Sequence, residues 1–220
     1  MSAPLDIDPL ELTPTLLLRA YSVGVFPMAD SATSRDVYWV DPKRRGVLPL
    51  DGFHASRSLR KKARQGKFDM RVNTAFRATV EACANRDETW INEEILDLYE
   101  TLHRLGYAHS VECWIEDRLV GGLYGVSIGA AFFGESMFSA ARDASKLALM
   151  WLVARLNAGG YKLLDTQFVT DHLISVGARE ITRSAYHEQL KIAISTVADF
   201  WKLDAQASVD QVLQLSTQTS

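Results

Sequence analysis

Arg118-Leu119-Val120-Gly121-Gly122-Leu123-Tyr124-Gly125 opens the stretch that decides the fold, and Leu163-Leu164-Asp165-Thr166-Gln167-Phe168 closes it. Residues 119–128 are apolar with internal glycines, and after Gly129 a second apolar stretch covers 130–133. That pattern is a β-hairpin with close backbone approaches. Gly134-Glu135-Ser136 then leads to an oily run, 146–156, closed by Gly159-Gly160. Apolar residues fall on nearly every side of it, which predicts a helix buried between layers. A last strand, 162–169, follows at once. Strand, strand, helix, strand predicts an α+β domain with the helix packed on a mixed sheet. Glu135, Asp165 and Gln167 interrupt these oily elements and are the first candidates for chemistry.

The chain of 220 residues has ample apolar material for a core. Its only cysteines are Cys83 and Cys113, with no C-x-x-C pair, which disfavours a disulfide framework or a zinc cluster. Asp6, Asp8 and Glu11 stand where a signal peptide would be basic. The longest apolar run, 147–154, falls well short of the roughly 20 residues a membrane helix needs. A cytoplasmic protein with no membrane partner is therefore expected. Net charge is −3, yet ten Lys/Arg face three acids between Arg35 and Lys67. Such asymmetry fits either a polyanion footprint or a solvated basic face.

Working outward, Thr13-Pro14 is a helix start, with threonine as cap and proline at the first helical position, and the helix stops at Gly24. Phe26-Pro27 begins a loop; 38–40 and 46–50 read as short strands, with a turn at Asp51-Gly52. Residues 54–67 form a basic helix. Residues 1–55 thus make a small lobe with little core of its own. Further on, 68–72 is a strand, 75–84 a helix capped by Asn73 or Thr74, and Asn92 caps a helix through Leu105. Residues 111–116 are a strand, 184–195 a helix, and after 204 the chain is polar and expected to fray.

The five histidines show no metal-ligand spacing, and there is no Walker motif, no G-x-G-x-x-G and no complete G-x-S-x-G elbow. Asp165 and Gln167 are two apart on a strand, so their side chains share one face. An interior carboxylate beside an amide needs partners, because burying either alone costs a few kcal/mol. Two readings stand: a structural hydrogen-bond network, or a site holding an amine between charge and carbonyl. Glu135 brings a second carboxylate to the same cleft. Trp39 and Trp90 flank polar loops and serve either as core or as platforms for a base.

Nine segments in unbroken order resemble the leucyl/phenylalanyl-tRNA–protein transferase family. They include Ala20-Tyr21-x-x-Gly24-x-Phe26-Pro27-Met28, Tyr38-Trp39-Val40-Asp41-Pro42 and Phe53-His54-x-Ser56-Arg57-Ser58-Leu59. Thr89-Trp90-Ile91-Asn92, Gly121-Gly122-Leu123-Tyr124-Gly125-Val126, Phe133-Gly134-Glu135-Ser136-Met137-Phe138-Ser139 and Leu164-Asp165-Thr166-Gln167-Phe168 belong to the same series. The resemblance implies a small N-terminal lobe (1–55) helping to bind the tRNA 3′ end, a GNAT-like acyltransferase domain (56–204) and a polar tail (205–220). It implies transfer of Leu or Phe, less readily Met, from aminoacyl-tRNA to the α-amino group of proteins beginning with Arg or Lys, marking them for degradation. Asp165, Gln167 and Glu135 match its catalytic residues, and Trp39 the tryptophan that stacks on the terminal adenine. Trp90 matches another tryptophan near the site. Leu123, Phe132 and Leu164 resemble positions lining the donor side-chain pocket. Lys43, Arg44, Arg45, Arg57, Arg60, Lys61, Lys62 and Arg64 are expected on the tRNA phosphates.

No cofactor is expected, because the donor ester is already activated and the protein has only to position groups and handle protons. On that expectation the Gln167 carbonyl accepts a hydrogen bond from the attacking amine, Asp165 orients and polarises Gln167, and Glu135 helps hold the cationic acceptor. Two other readings compete. An acetyl-CoA-dependent enzyme would need a pyrophosphate loop before a helix, whereas Arg118–Gly122 precedes a strand. A non-catalytic RNA-binding module would need the basic residues but not Glu135, Asp165 and Gln167.

Overall fold

The computed structural model describes residues 12–29, 37–85 and 91–217. Helix α1 (Pro14–Ser22) starts as expected, with the Thr13 hydroxyl accepting the Leu16 N–H at 3.2 Å. Phe26-Pro27 is not a loop: β1 (Phe26–Ala29) pairs antiparallel with β2 (Val37–Val40) as a two-stranded ribbon. Proline is tolerated there because each strand of such a ribbon is an edge. Next come β3 (Arg44–Val47), α2 (Arg57–Arg64), β4 (Asp69–Val72), α3 (Phe76–Ala84) and α4 (Glu93–Arg104). Helix α3 lacks a cap from its own loop. The buried Glu112 carboxylate, reaching across from the sheet, takes the N–H groups of Thr74 and Ala75 instead.

The remaining elements are β5 (Ala108–Ile115), β6 (Arg118–Ile128), β7 (Ala131–Ser139), α5 (Ala144–Gly159), β8 (Leu163–Gln167), α6 (Asp171–Ile174), β9 (Arg179–Thr182), α7 (Arg183–Ser195) and α8 (Val209–Ser216). A seven-stranded mixed sheet runs in the order β4-β5-β6-β7-β8-β3-β9, with β7 and β8 its parallel pair. The fold is therefore α+β with a mixed sheet flanked by helices, as expected. Segment 44–47, read as part of a small lobe, sits inside that sheet as β3, between β8 and β9.

Each sheet face carries its own core. On one face α5 packs among Leu123, Phe132 and Leu164, and on the other Leu17, Tyr21, Phe76, Tyr99 and Tyr186 pack against Tyr124 and Phe133. Helix α5 is buried all round, as its pattern demanded, because α8 covers its outer side with Val212 and Leu213. The expected fraying after residue 204 is thus corrected as far as residue 217. Burying two apolar side chains of α8 favours docking by roughly 1.5–3 kcal/mol each, enough to order a short polar helix. Arg155 ties the same layer, donating to the Phe200 and Leu203 carbonyls at 2.9 and 2.8 Å. Among the described residues, no helix is long and apolar enough to cross a membrane.

Candidate active site

The site opens where two parallel strands part. Registered pairing of β7 with β8 covers only Ala131–Phe133 against Leu163–Asp165. Beyond that, 134–139 and 166–168 diverge and line a cavity of about 530 Å³. Leu123, Met137, Leu149, Leu152, Leu164 and Leu173 make one side apolar, and Glu135 and Gln167 supply a polar lip.

Glu135 reaches that lip through a bulge. Tyr124 pairs with Ser136 and Gly125 with Gly134, so Glu135 is the extra residue with no partner on β6. A bulge turns its strand by one residue and re-aims a side chain. The shift is visible in the packing: Phe133 lies in the core beneath α1, whereas Met137, four residues on, lies against the α5 core. The bulge needs glycine at 125, where a Cβ would come within 2.2 Å of the Phe133 carbonyl and 2.5 Å of the Phe132 ring. Glu135 is accordingly a residue of β7 and not a residue after a strand ending at 133.

Three donors hold the Glu135 carboxylate. The Tyr21 hydroxyl reaches Oε1 at 2.6 Å, the Tyr99 hydroxyl Oε2 at 2.9 Å, and the Gln167 amide Nε2 donates to Oε1 at 3.3 Å. Burial disfavours the carboxylate and pushes its pKa up to about 7 although both tyrosine bonds pull it down. Burial, reinforced by Glu135, also raises both tyrosines well above their usual range, so they remain donors. With its amide nitrogen turned to Glu135, Gln167 has its carbonyl oxygen free of that bond. Gln167 itself has φ +55°, a left-handed backbone that terminates the strand.

Asp165 shares the face of Glu135 and Gln167, as the alternation predicts, but it lies beneath the site. Its carboxylate is fully buried and takes Arg45 Nε at 2.9 Å, Arg45 Nη2 at 2.6 Å, the Tyr186 hydroxyl at 2.7 Å and the backbone N–H of Gln167 at 2.8 Å. These fill its acceptor capacity. The expectation that Asp165 polarises the Gln167 side chain is corrected: it holds that residue's backbone. Among the described residues, Glu135 is the side chain that accepts from the amide.

Arg45 was expected on tRNA phosphate. It is 1 % exposed, clamped between the Phe26 and Tyr186 rings at 4.3 and 4.5 Å, with both reaching edges committed to Asp165 and the Gly24 carbonyl. A guanidinium so enclosed has nothing left to offer a phosphate, so Arg45 leaves that set. Burial alone would lower its pKa, but the Asp165 bonds outweigh this and raise it. Lys43, Arg44, Arg57, Arg60, Lys61 and Arg64 are exposed. Lys62 is half-buried and pairs with Asp143, while Arg44 and Arg64 pair loosely with Glu180 and Asp210. Exposed pairs of this kind are worth about 0–1 kcal/mol and release easily to another anion.

Leu123 and Leu164 line the cavity, but Phe132 does not. It is fully buried behind Leu164, its strand partner, and stacks on Phe200 at 6.0 Å. Trp39 stands on β2, 36 % exposed. The ribbon carrying it abuts the cavity through Phe26, which meets cavity-lining Phe168 edge-on at 5.7 Å. Trp90 lies outside the described residues. Tyr21, Tyr99 and Tyr186 were missed as site residues. Each belongs to an ordinary amphipathic helix, and nothing in its spacing tells a hydroxyl at an active site from one at a surface. Arg118–Gly122, lacking a pyrophosphate loop in sequence, lies within β6. Among the described residues, no group of three or more His, Cys, Asp or Glu is arranged to hold a metal ion.

Comparison with known proteins gives a consistent result. A family model described as leucyl/phenylalanyl-tRNA protein transferase matches residues 47–191, and one described as that protein's N-terminal domain matches 11–43. A leucyl/phenylalanyl-tRNA–protein transferase of Ruegeria sp. is 57% identical over 211 residues, covering 96% of this chain and 100% of the relative. Proteins of the same name from Maricaulis maris and Cereibacter sphaeroides are 58% and 54% identical. They cover 93% and 97% of this chain, and 96% and 100% of their own lengths.

Proposed function

Since the chain belongs to the leucyl/phenylalanyl-tRNA–protein transferase family, we propose that it moves leucine or phenylalanine, less readily methionine, from aminoacyl-tRNA to proteins beginning with Arg or Lys. It is an aminoacyltransferase, with charged tRNA as donor and a protein as acceptor. The observation that carries the finer reading is the parting of β7 and β8, an apolar chamber with one carboxamide held at its lip.

The donor's leucyl or phenylalanyl side chain enters the chamber among Leu123, Leu149 and Leu164. This places its ester carbon near the lip, where Gln167 stands. The acceptor's α-amino group, with a reference pKa of about 7.7–8.0, offers a usable fraction of neutral amine near pH 7. The Gln167 carbonyl accepts a hydrogen bond from that amine and aims its lone pair at the ester carbon. The new N–C bond forms, the C–O bond to the ribose breaks, and the amine's surplus proton ends on the leaving ribose hydroxyl. Glu135, titrating near 7, stands beside this path and either balances the acceptor's charge or relays the proton. Trp39 stacks on the terminal adenine, and Lys43, Arg44, Arg57, Arg60, Lys61, Lys62 and Arg64 meet the acceptor-stem phosphates. A smooth apolar chamber discriminates one methylene by only about 1–3 kcal/mol, so mixed use of Leu, Phe and Met follows. The product's new apolar N-terminus then serves as a degradation signal.

Incubating the protein with leucyl-tRNA and peptides beginning with Arg, Lys or Ala tests this reading. Mass spectra should show one leucyl residue added to the Arg and Lys peptides and none to the Ala peptide. Equal transfer to all three would sink the acceptor specificity, and no transfer to any would sink the reaction.

A further inference from the structure

We propose that Arg45 is the positioning residue of the transfer site, setting Gln167 through Asp165 and Glu135 through α1. The proposal rests on the transferase reading above. The hydrogen bonds of Arg45 run to Asp165, to Gly24 and, from Nη2, to the Tyr186 hydroxyl at 3.3 Å. Nε and Nη2 take the two oxygens of Asp165, and Nη1 donates to the Gly24 carbonyl at 3.1 Å. Asp165 Oδ1 in turn accepts the Gln167 N–H at 2.8 Å and so holds that residue at φ +55°. Non-glycine residues avoid this region, so something must over-determine it. Gly24 closes α1, which carries Tyr21, and Tyr21 donates to Glu135 at 2.6 Å. Glu135 accepts the Gln167 amide, and the ring of contacts closes.

One guanidinium thus joins the end of α1, behind Glu135, to the end of β8, which carries Gln167. Stability does not account for the arrangement. A buried ion pair is often no better than apolar residues of equal volume, and here it lies between two aromatic rings that apolar residues would fill well. Geometry accounts for it: a planar fork can hold a carboxylate by both oxygens and still offer an edge to a carbonyl.

Arg45→Lys keeps the charge and loses the fork. We expect folded protein whose kcat falls roughly tenfold or more, with KM for leucyl-tRNA and peptide held within about twofold. Amide hydrogen exchange at Gln167 should accelerate by roughly tenfold in the same variant. Wild-type kcat and wild-type exchange in a folded variant would overturn the proposal. So would an effect confined to donor KM with a shallower salt dependence, which would make Arg45 a phosphate ligand. Where Arg45→Lys does not fold, Tyr186→Phe removes one bond to Asp165 and a longer one from Arg45 Nη2, and leaves the ion pair. It should still slow turnover and loosen the Gln167 amide, and no change in either refutes the claim. The exchange measurement needs no turnover. A wild-type protein that transfers nothing would therefore strike the functional reading while exchange still decided the role of Arg45.

Discussion

Replacing Glu135 by glutamine probes the site through its displaced titration. Burial lifts this carboxyl from 4.5 to about 7 in the folded protein. In the unfolded chain it titrates near its unperturbed value of 4.5. At pH values below that, both states keep the proton and the group is neutral in the balance. As pH rises, the unfolded chain ionises first and the folded protein follows only near 7, so stability is lost across that window and the loss is complete above it. The interval from 4.5 to about 7 corresponds to ~3 kcal/mol at ~1.4 kcal/mol per pH unit, which partial exposure reduces to about 2 kcal/mol.

Glutamine keeps the shape and accepts from one tyrosine hydroxyl while donating to the other, so it removes the titration with little change in packing. Urea unfolding of wild type and Glu135→Gln across about pH 4.5–8 measures the difference directly, because all other titrating groups cancel. The variant should gain about 2 kcal/mol on wild type from the acid to the alkaline end, or roughly 4–8 °C in Tm. Leucyl transfer by the wild type should carry a pH limb near 7 that the variant lacks. Parallel stability curves would show that Glu135 is not the strained carboxyl described here, and the argument for its role in proton handling would go with it.

Three other outcomes follow from the same geometry. Leu164→Ala enlarges the chamber beside the lip, and the kcat/KM ratio for phenylalanyl- over leucyl-tRNA should rise by roughly tenfold; an unchanged ratio would remove Leu164 from donor selection. Arg57→Ala and Lys61→Ala, on the exposed side of α2, should weaken tRNA binding whatever the sequence and each lower the slope of log K against log salt by ~1. Affinity with no salt slope in the wild type would remove the footprint altogether. Gly125→Ala forces a Cβ against the Phe133 carbonyl, so thermal unfolding should show a loss of about 1–3 kcal/mol together with lost transfer. Wild-type melting and activity would mean that the bulge tolerates what its geometry forbids.

Local signals were legible wherever the chain interacts with itself over a few residues. Thr13 and Asn92 cap α1 and α4 as their positions predict, Gly106 and Gly160 adopt the positive φ that ends a helix, and the all-round apolar pattern of 146–156 belongs to a helix covered on both sides. Two candidates, Glu135 and Gln167, meet at one cavity, with Leu123 and Leu164 in its wall. The misreadings share a cause. Val209–Ser216 looked polar because only one side of so short a helix needs to be apolar. Pro27 suggested a loop because a lone ribbon of two edges cannot be read from four residues.

The amino-acid sequence by itself determined most of the elements, the mixed sheet, the family and the identity of the polar residues placed in an oily setting. Only the tertiary structure decided what those residues touch. Arg45 lies in a basic run and reads as a phosphate ligand, yet 120 positions separate it from the Asp165 that buries it. Asp165 reads as the partner of a neighbouring amide, yet it spends its oxygens on Arg45, Tyr186 and a backbone N–H. Periodicity reports which face of a strand a side chain occupies. The partner awaiting it there depends on which distant strand the sheet brings alongside and on where one extra residue in β7 shifts the register.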